Sequence, residues 1–287
     1  MQMKVTSLRN FAALLLIILL ASCAAMQVAY NNSGILIKLW VKSHFDLKGT
    51  QSADFNARLA KVQRWHRTQE LPHYEKISRQ VGAHLSRHIT PDDVHATFEA
   101  IRERYKALAK TVAEEGSPVL LTLTPEQLQH LQAQFDEDNE KFIKKHRMNA
   151  STEKQLDRKI KWAKDKFEEW IGNLSSDQEQ IIETAIREMP ILTEMQLTDR
   201  QKNQKEFIAL VKSHRDKRSL QVALQDFFEN IEAHRAQAYS HAMQKTEARL
   251  TQLIVQVDKS LSAKQRSYAS NRFAKLAQDF HELNLSQ

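Results

Sequence analysis

The sequence predicts an all-α protein, a multi-helix antiparallel bundle of about eight to ten helices joined by short connections. Three observations carry this. Gly and Pro number only five each in 287 residues, far below the ~12% that the two together average, and sheets with their hairpins need such turn residues. Apolar side chains recur at alternating steps of three and four, which lines one face of a helix. No convincing alternation of period two occurs after the N-terminal segment.

The elements follow in order. Helices are expected near residues 33–45, 52–70, 73–88, 91–115, 125–147, 152–171, 176–188, 191–214, 219–258 and 263–284. Phe55, Leu59 and Val62 begin one stripe, and Tyr74, Ile77, Val81 and Leu85 another. Val94, Phe98, Ile101, Tyr105, Leu108 and Val112 step by 4, 3, 4, 3 and 4. Leu156, Ile160, Ala163, Phe167 and Trp170 repeat the rhythm, as do Ala269, Phe273, Leu276, Phe280 and Leu283. Helix starts are explicit at Thr90-Pro91-Asp92-Asp93 and Thr124-Pro125-Glu126-Gln127. Each offers a capping threonine, proline at the first helical position and acid in the first turn. Ser175 and Ser262 open weaker starts. Gly172 is placed to end a helix with positive φ. Pro72 and Pro190 are expected to begin or kink helices, and Pro72 to interrupt any helix around Glu70.

The N-terminus carries an address. Lys4 and Arg9 precede the apolar run FAALLLIILLA at 11–21, which suits a secretory signal peptide. It is too short for a membrane span, which needs about 20 residues. Leu20-Ala21-Ser22-Cys23 has the lipobox pattern of bacterial lipoproteins, and Cys23 is the sole cysteine. The expectation is cleavage between Ser22 and Cys23 and lipidation of the Cys23 thiol. Two acyl chains already suffice for stable anchoring. The domain reading is therefore a signal peptide at 1–22, a tether with one apolar helix at 23–51, and a periplasmic helical domain at 52–287. That apolar helix (Ile35, Leu36, Leu39, Trp40) should lie close to the membrane or dock on the bundle. Ala24 and Ala25, with no Asp after the cysteine, favour the outer membrane facing the periplasm over the inner membrane. No other cysteine is left for a disulfide, as an oxidising compartment tolerates.

Charge is uneven. The chain has 42 basic and 35 acidic residues, a net charge of +7. Losing 1–22 removes two basic residues and no acidic one, leaving +5. Residues 141–170 hold ten basic side chains against five acidic, which equals that whole surplus. Lys154, Arg158 and Lys161 fall on one helical face and would meet anionic lipid headgroups or acidic envelope polymers. The plainer reading is a solvated face. A nucleic-acid partner has no motif here.

Chemistry-bearing motifs are thin. His84 and His88 are four apart, with His95 further on, but no His-Glu-x-x-His occurs. Ser151-Thr152-Glu153-Lys154 has Ser-x-x-Lys spacing without the companion motifs of penicillin-binding enzymes. The expectation is a non-enzymatic protein with no catalytic residue, metal or cofactor, binding or scaffolding in the cell envelope.

Two resemblances attach to particular residues. Tyr30-Asn31-Asn32, Trp65-His66 with Glu70-Leu71-Pro72 and Tyr74, Leu123-Thr124-Pro125-Glu126-Gln127, Asn139-Glu140-Lys141-Phe142 and Gly172-Asn173-Leu174-Ser175 with Gln178 resemble, in this order, an uncharacterised family of proteobacterial lipoproteins. That resemblance implies a helical envelope lipoprotein and brings no activity with it. The pattern Leu-Thr/Ser-x-x-Gln at Leu123, Leu174 and Leu261 is similar to the signature of the Spy and CpxP periplasmic proteins. It implies, as the alternative, a lipid-tethered chaperone or envelope-stress sensor. The same pattern is also sound helix-start grammar, with Gln closing a capping box.

Replacing the lipobox cysteine tests the address. Cys23→Ala should abolish incorporation of labelled palmitate and leave the signal peptide uncleaved. Continued labelling of the variant would place the lipid elsewhere.

Overall fold

The computed structural model describes residues 23–286. The expected signal peptide at 1–22, with Ser22 of its cleavage site, lies outside the described residues. Helices account for nearly all of the chain, and no strand occurs among the described residues. They are α1 (Cys23–Asn31), α2 (Ser33–Phe45), α3 (Thr50–Trp65), a π turn (His66–Glu70), α4 (Leu71–Leu85), α5 (Pro91–Leu120) and α6 (Pro125–His146). There follow α7 (Thr152–Ile171), α8 (Ser176–Glu188), α9 (Thr193–Ser213), α10 (Lys217–Glu229), α11 (Gln237–Ser260) and α12 (Ala263–Leu285). The all-α expectation holds.

The chain forms two compact units, each discontinuous in sequence. Unit 1 takes residues up to Leu71, Arg104–Lys145 and Leu197–His234; unit 2 takes Pro72–Glu103, His146–Gln196 and Arg235–Gln287. The sequence reading drew one domain over 52–287. No Gly/Pro-rich linker marks the division, because it falls at Leu71/Pro72, inside α5 at Glu103/Arg104, and inside α9 at Gln196/Leu197.

Each unit has its own apolar core. In unit 1, Val41 and Phe45 of α2 pack with Ala113 of α5, Leu131 and Phe135 of α6, Phe207 of α9 and Leu220 and Leu224 of α10. In unit 2, Ile160 and Ala163 of α7 pack with Ile182 of α8, Leu253 and Val257 of α11 and Ala269 of α12. Leu131, Ile182, Leu220 and Leu224 are fully buried. Burying such a side chain contributes about 1.5–3 kcal/mol.

Three local outcomes differ from the sequence reading. Pro72 does not interrupt the helix. The path continues from Thr50 to Leu85 because the preceding turn widens to π geometry, in which the Leu71 N–H reaches the His66 carbonyl. A proline ring collides with the carbonyl four residues back, and a π turn relieves this. Next, α5 runs past its expected end to Leu120, through Gly116 and Pro118. The buried Ser117 hydroxyl donates to the Glu114 carbonyl (3.4 Å), which lost its backbone donor to Pro118. Finally, the helix expected over 219–258 is two helices. Asn230, at φ −102° and ψ 16°, ends α10, and its side chain donates back to Asp226 (2.7 Å).

The capping motifs do more than begin helices. Thr124/Gln127, Ser175/Gln178 and Ser262/Gln265 are reciprocal capping boxes. Their glutamines also pair across space. In unit 2 the Gln178 amide donates to Gln265 Oε1 (3.1 Å) and the Gln265 amide donates to Gln178 Oε1 (2.8 Å). Each donates its second N–H to a backbone carbonyl, Gln178 to Ser260 at the end of α11 (3.2 Å) and Gln265 to Asn173 (2.9 Å). In unit 1 Gln127 pairs in the same way with Gln51 (3.1 and 2.9 Å). Gln51 reaches the Thr122 carbonyl (2.6 Å) and Gln127 the Asp46 carbonyl (2.9 Å). The Lys48 backbone N–H donates to Gln51 Oε1 (3.2 Å), so α3 also starts on a glutamine acceptor.

A second polar hub fixes α2 within unit 1. Buried His44 contacts Asp138 (3.1 Å), while the Arg200 guanidinium lies 3.7 Å from that carboxylate. Arg200 also donates to Asn139 (2.7 Å), which donates to Gln204 (2.8 Å). Asn139 of the family-like Asn-Glu-Lys-Phe segment is thus an interior contact of α6.

The glutamine pairs make a stability prediction. Gln178 is only 1% exposed, so Gln178→Ala takes the acceptor from the Ser175 N–H, the donor from the Ser260 carbonyl and one partner from Gln265, and should cost about 1–3 kcal/mol in urea unfolding. Gln178→Ala with Gln265→Ala should cost less than the two singles together. Strict additivity would show that the amides do not depend on each other.

Candidate functional site

Two features of unit 1 bring motif residues together. The first surrounds the π turn. The buried Tyr30 hydroxyl of α1 lies 3.0 Å from His66 Nδ1, although 36 residues separate them. Arg67 donates to Asn31 (3.0 Å), and its guanidinium sits 5.1 Å from the Tyr30 ring centre. Glu70 is 2% exposed, 3.5 Å from Arg104 on one oxygen and without a hydrogen-bond partner on the other. Tyr30-Asn31 and Trp65-His66 with Glu70 read as separate motifs in sequence, and here they form one cluster.

Burial sets the protonation of this cluster. Desolvation, reinforced by Arg67, lowers the His66 pKa to about 4. Desolvation, opposed by Arg67, raises Tyr30 to about 12. Burial raises the Glu70 carboxyl above its ordinary range, with Arg104 opposing. His66 is therefore neutral across the physiological range and shares a hydrogen bond with the Tyr30 hydroxyl through Nδ1. These groups are turned inward, and the cluster acts as a polar clamp of α1 on the π turn.

The second feature is an apolar cavity of about 170 Å³ in the same unit. Ile37, Trp40, Val41 and Phe45 of α2 form one wall, and Phe55, Leu59 and Val62 of α3 another. Val112, Gly116 and Val119 of α5 face it, and Phe207 and Phe228 contribute from α9 and α10. Ile37, Phe55, Val62 and Gly116 are only half-buried, so the cavity reaches the surface. A Cβ built on Gly116 would meet no heavy atom within 4 Å. Glycine inside a helix costs about 1 kcal/mol relative to alanine, and here it leaves the cavity wall open. The one charged pair of the lining is Arg58 with Glu115 (3.0 Å), and Arg58 is also held by Asp54 (2.9 Å). Two carboxylates beside one guanidinium disfavour an anionic ligand and admit an uncharged apolar one. No sequence pattern announces this cavity, because its walls come from five helices.

Cys23, the basic residues of 141–166 and the histidines His84 and His88 belong to neither feature. Cys23 begins α1, and nothing is described of its side chain. Lys154, Arg158 and Lys161 are exposed on α7 of unit 2, with Lys161 tied to Asp165 (3.0 Å). The basic run of 141–166 falls in both units, and Lys141, Lys144, Lys164 and Lys166 also have carboxylate partners. Lys159 is half-buried, donates to the Pro190 carbonyl (3.3 Å), and has its pKa lowered by desolvation. His84 lies 3.4 Å from Asp93, and His88 3.3 Å from buried Asp258. Among the described residues no group of three or more His, Cys, Asp or Glu is disposed to hold a metal ion. No helix of the described residues is long and apolar enough to cross a membrane.

His66 carries a pH dependence with a definite sign. The unfolded chain binds its imidazole proton near 6.5 and the folded chain only near 4, so the unfolded state holds more protons between these values. Stability from this group is full above pH 6.5, falls as pH drops towards 4 and levels below, a change of roughly 3 kcal/mol. Glu70 has the opposite sign, its contribution lost as pH rises from the ordinary 4.5 through its raised value. His66→Gln should remove the acid-side loss, and denaturant unfolding at pH 7 and pH 4.5 checks it. An unchanged difference between wild type and variant at the two pH values would refute the assignment.

No curated protein and no solved structure matches the chain. A family described as Family of unknown function (DUF6279) matches residues 43–240, which include the π turn, both hubs of unit 1 and the α7 basic face. With most of its length matched, the chain belongs to that family of unknown function.

Proposed function

We propose that this protein is a lipid-anchored proteobacterial envelope lipoprotein that acts by binding, and that its ligand is an alkyl chain seated in the unit 1 cavity. The cavity carries the proposal. Its walls are apolar, and its volume of about 170 Å³ is comparable to the ~150 Å³ that admits one benzene. A segment of an acyl chain has the cross-section and chemistry for it. Asp54 and Glu115 turn away a carboxylate, so an ester-linked or neutral chain is preferred. Anchoring at Cys23, with the outer membrane facing the periplasm as its address, rests on the lipobox and the residues after it. The exposed Lys154, Arg158 and Lys161 extend the reading to anionic headgroups or envelope polymers. The Leu-Thr/Ser-x-x-Gln segments have a structural role as helix starts and glutamine pairs.

Filling the cavity is the test. Gly116→Leu should project a side chain into it, raise thermal stability by replacing a helical glycine, and weaken binding of a brominated alkyl probe by about tenfold or more, equivalent to about 1.4 kcal/mol. Quenching of Trp40 emission by the probe reads the binding, with Trp65, Trp162 and Trp170 replaced by Phe. Undiminished quenching in Gly116→Leu would move the ligand out of this cavity.

A further inference from the structure

Helix α2 has two faces. Ile37, Trp40, Val41 and Phe45 turn to the cavity and core of unit 1. Ile35 and Leu39, one turn apart, point the other way and are 58% and 60% exposed; Val28 of α1, two turns before Ile35, is 62% exposed. The two helices are nearly continuous through Asn32, whose N–H reaches the Val28 carbonyl (3.0 Å) and whose carbonyl accepts from Leu36 (3.2 Å). Large apolar side chains at this spacing form a row along one surface.

The charges around this row have one sign. Residues 23–45 contain no acid, and their two lysines, Lys38 and Lys42, are exposed beside Leu39. Neither forms an ion pair with a carboxylate among the described residues, and no acid lies within their own two helices to screen them. The row also starts where the apolar run at 11–21 and the lipobox end. A helix with apolar residues on one face and lysines at its border lies in the plane of a bilayer, its lysines at the headgroups. Near an anionic surface each lysine adds about 1 kcal/mol.

We infer that the outward face of α1 and α2, made by Val28, Ile35 and Leu39 and bordered by Lys38 and Lys42, lies in the headgroup region of an anionic phospholipid bilayer. The inference rests on the membrane-anchored reading above and deepens it. Lipid at Cys23 holds the chain at the membrane, and the face orients it. The cavity wall and the membrane contact are then opposite sides of one helix, which gives an alkyl chain a short path from bilayer to cavity.

The test uses the full chain made in a bacterium and reconstituted into phosphatidylglycerol vesicles. Acylation consumes the sole native thiol, so wild type should take up no thiol-reactive fluorophore. Leu39→Cys and, as comparison, Ala133→Cys on the exposed side of α6 each supply one site. The probe at 39 should shift to the blue and lose emission when brominated lipids replace ordinary ones. The probe at 133 should do neither. Adding Lys38→Glu and Lys42→Glu should reverse the blue shift at 39. Uptake by wild type would defeat the anchor reading and the inference with it. With Cys23 blocked, a probe at 39 that behaves like the probe at 133 overturns the face alone. A blue shift that bromine fails to quench assigns the face to a protein contact, such as a second copy, and equally overturns it.

Discussion

Both units rest on one constraint: a buried glutamine amide must satisfy four hydrogen-bonding positions, and another glutamine is the partner that can meet it in kind. At each pair the oxygens serve the backbone N–H of a helix start, while the N–H groups bridge to the facing amide and a backbone carbonyl. Glutamate has the reach but no N–H to give. Asparagine has the N–H but falls short of its own cap. The solution is used twice, for α3 with α6 and for α8 with α12. In each unit, the inward stripes meet where these helix starts are clamped. Buried amides left half-satisfied would cost more than an apolar replacement, so the pair stands or falls together.

Around this constraint the units diverge. In unit 1 the apolar core is incomplete: the cavity takes space that a side chain at Gly116 would partly fill. In unit 2 buried Asp258 accepts from Arg266 (2.9 Å) and the Ile89 N–H (3.0 Å), and so ties the turn before α5 to the start of α12. In unit 1 two buried titratable residues, His66 and Glu70, sit on the π turn that lets the chain pass Pro72 as a helix. A local solution to a backbone problem thereby places titratable groups in the interior.

Much of the fold was legible in sequence, because periodicity and caps are local. The stripe from Val94 to Val112 and the one from Ala269 to Leu283 point inward as spaced, and Gly172 adopts φ +80°, a region closed to side chains with a Cβ at its ψ of −167°. Partnership was not legible. A stripe says which face is buried and not what buries it, so the pairing of Gln178 with Gln265 and the split into two units could not be read. Pro72 misled because a proline reads as a break unless the preceding turn is known to widen. The end of α10 at Asn230 carries neither glycine nor proline to mark it. For the candidate site, Tyr30, His66 and Glu70 stood out as family-like residues, but only the fold shows them in one cluster, and the cavity has no local signature at all.

The glutamine pairs also impose an order in time. Each capping box closes within four residues and can form as soon as its helix begins. Its partner lies 76 residues on for Gln51 and 87 for Gln178. Local turns form in microseconds or less, while contacts across such separations wait on the closure of long loops. During synthesis Gln178 therefore emerges with its cap made and its remaining amide hydrogens bonded to water, until Gln265 leaves the ribosome. Helix α12 supplies the partner amide, and a chain stopped short of it leaves the start of α8 capped but unlocked.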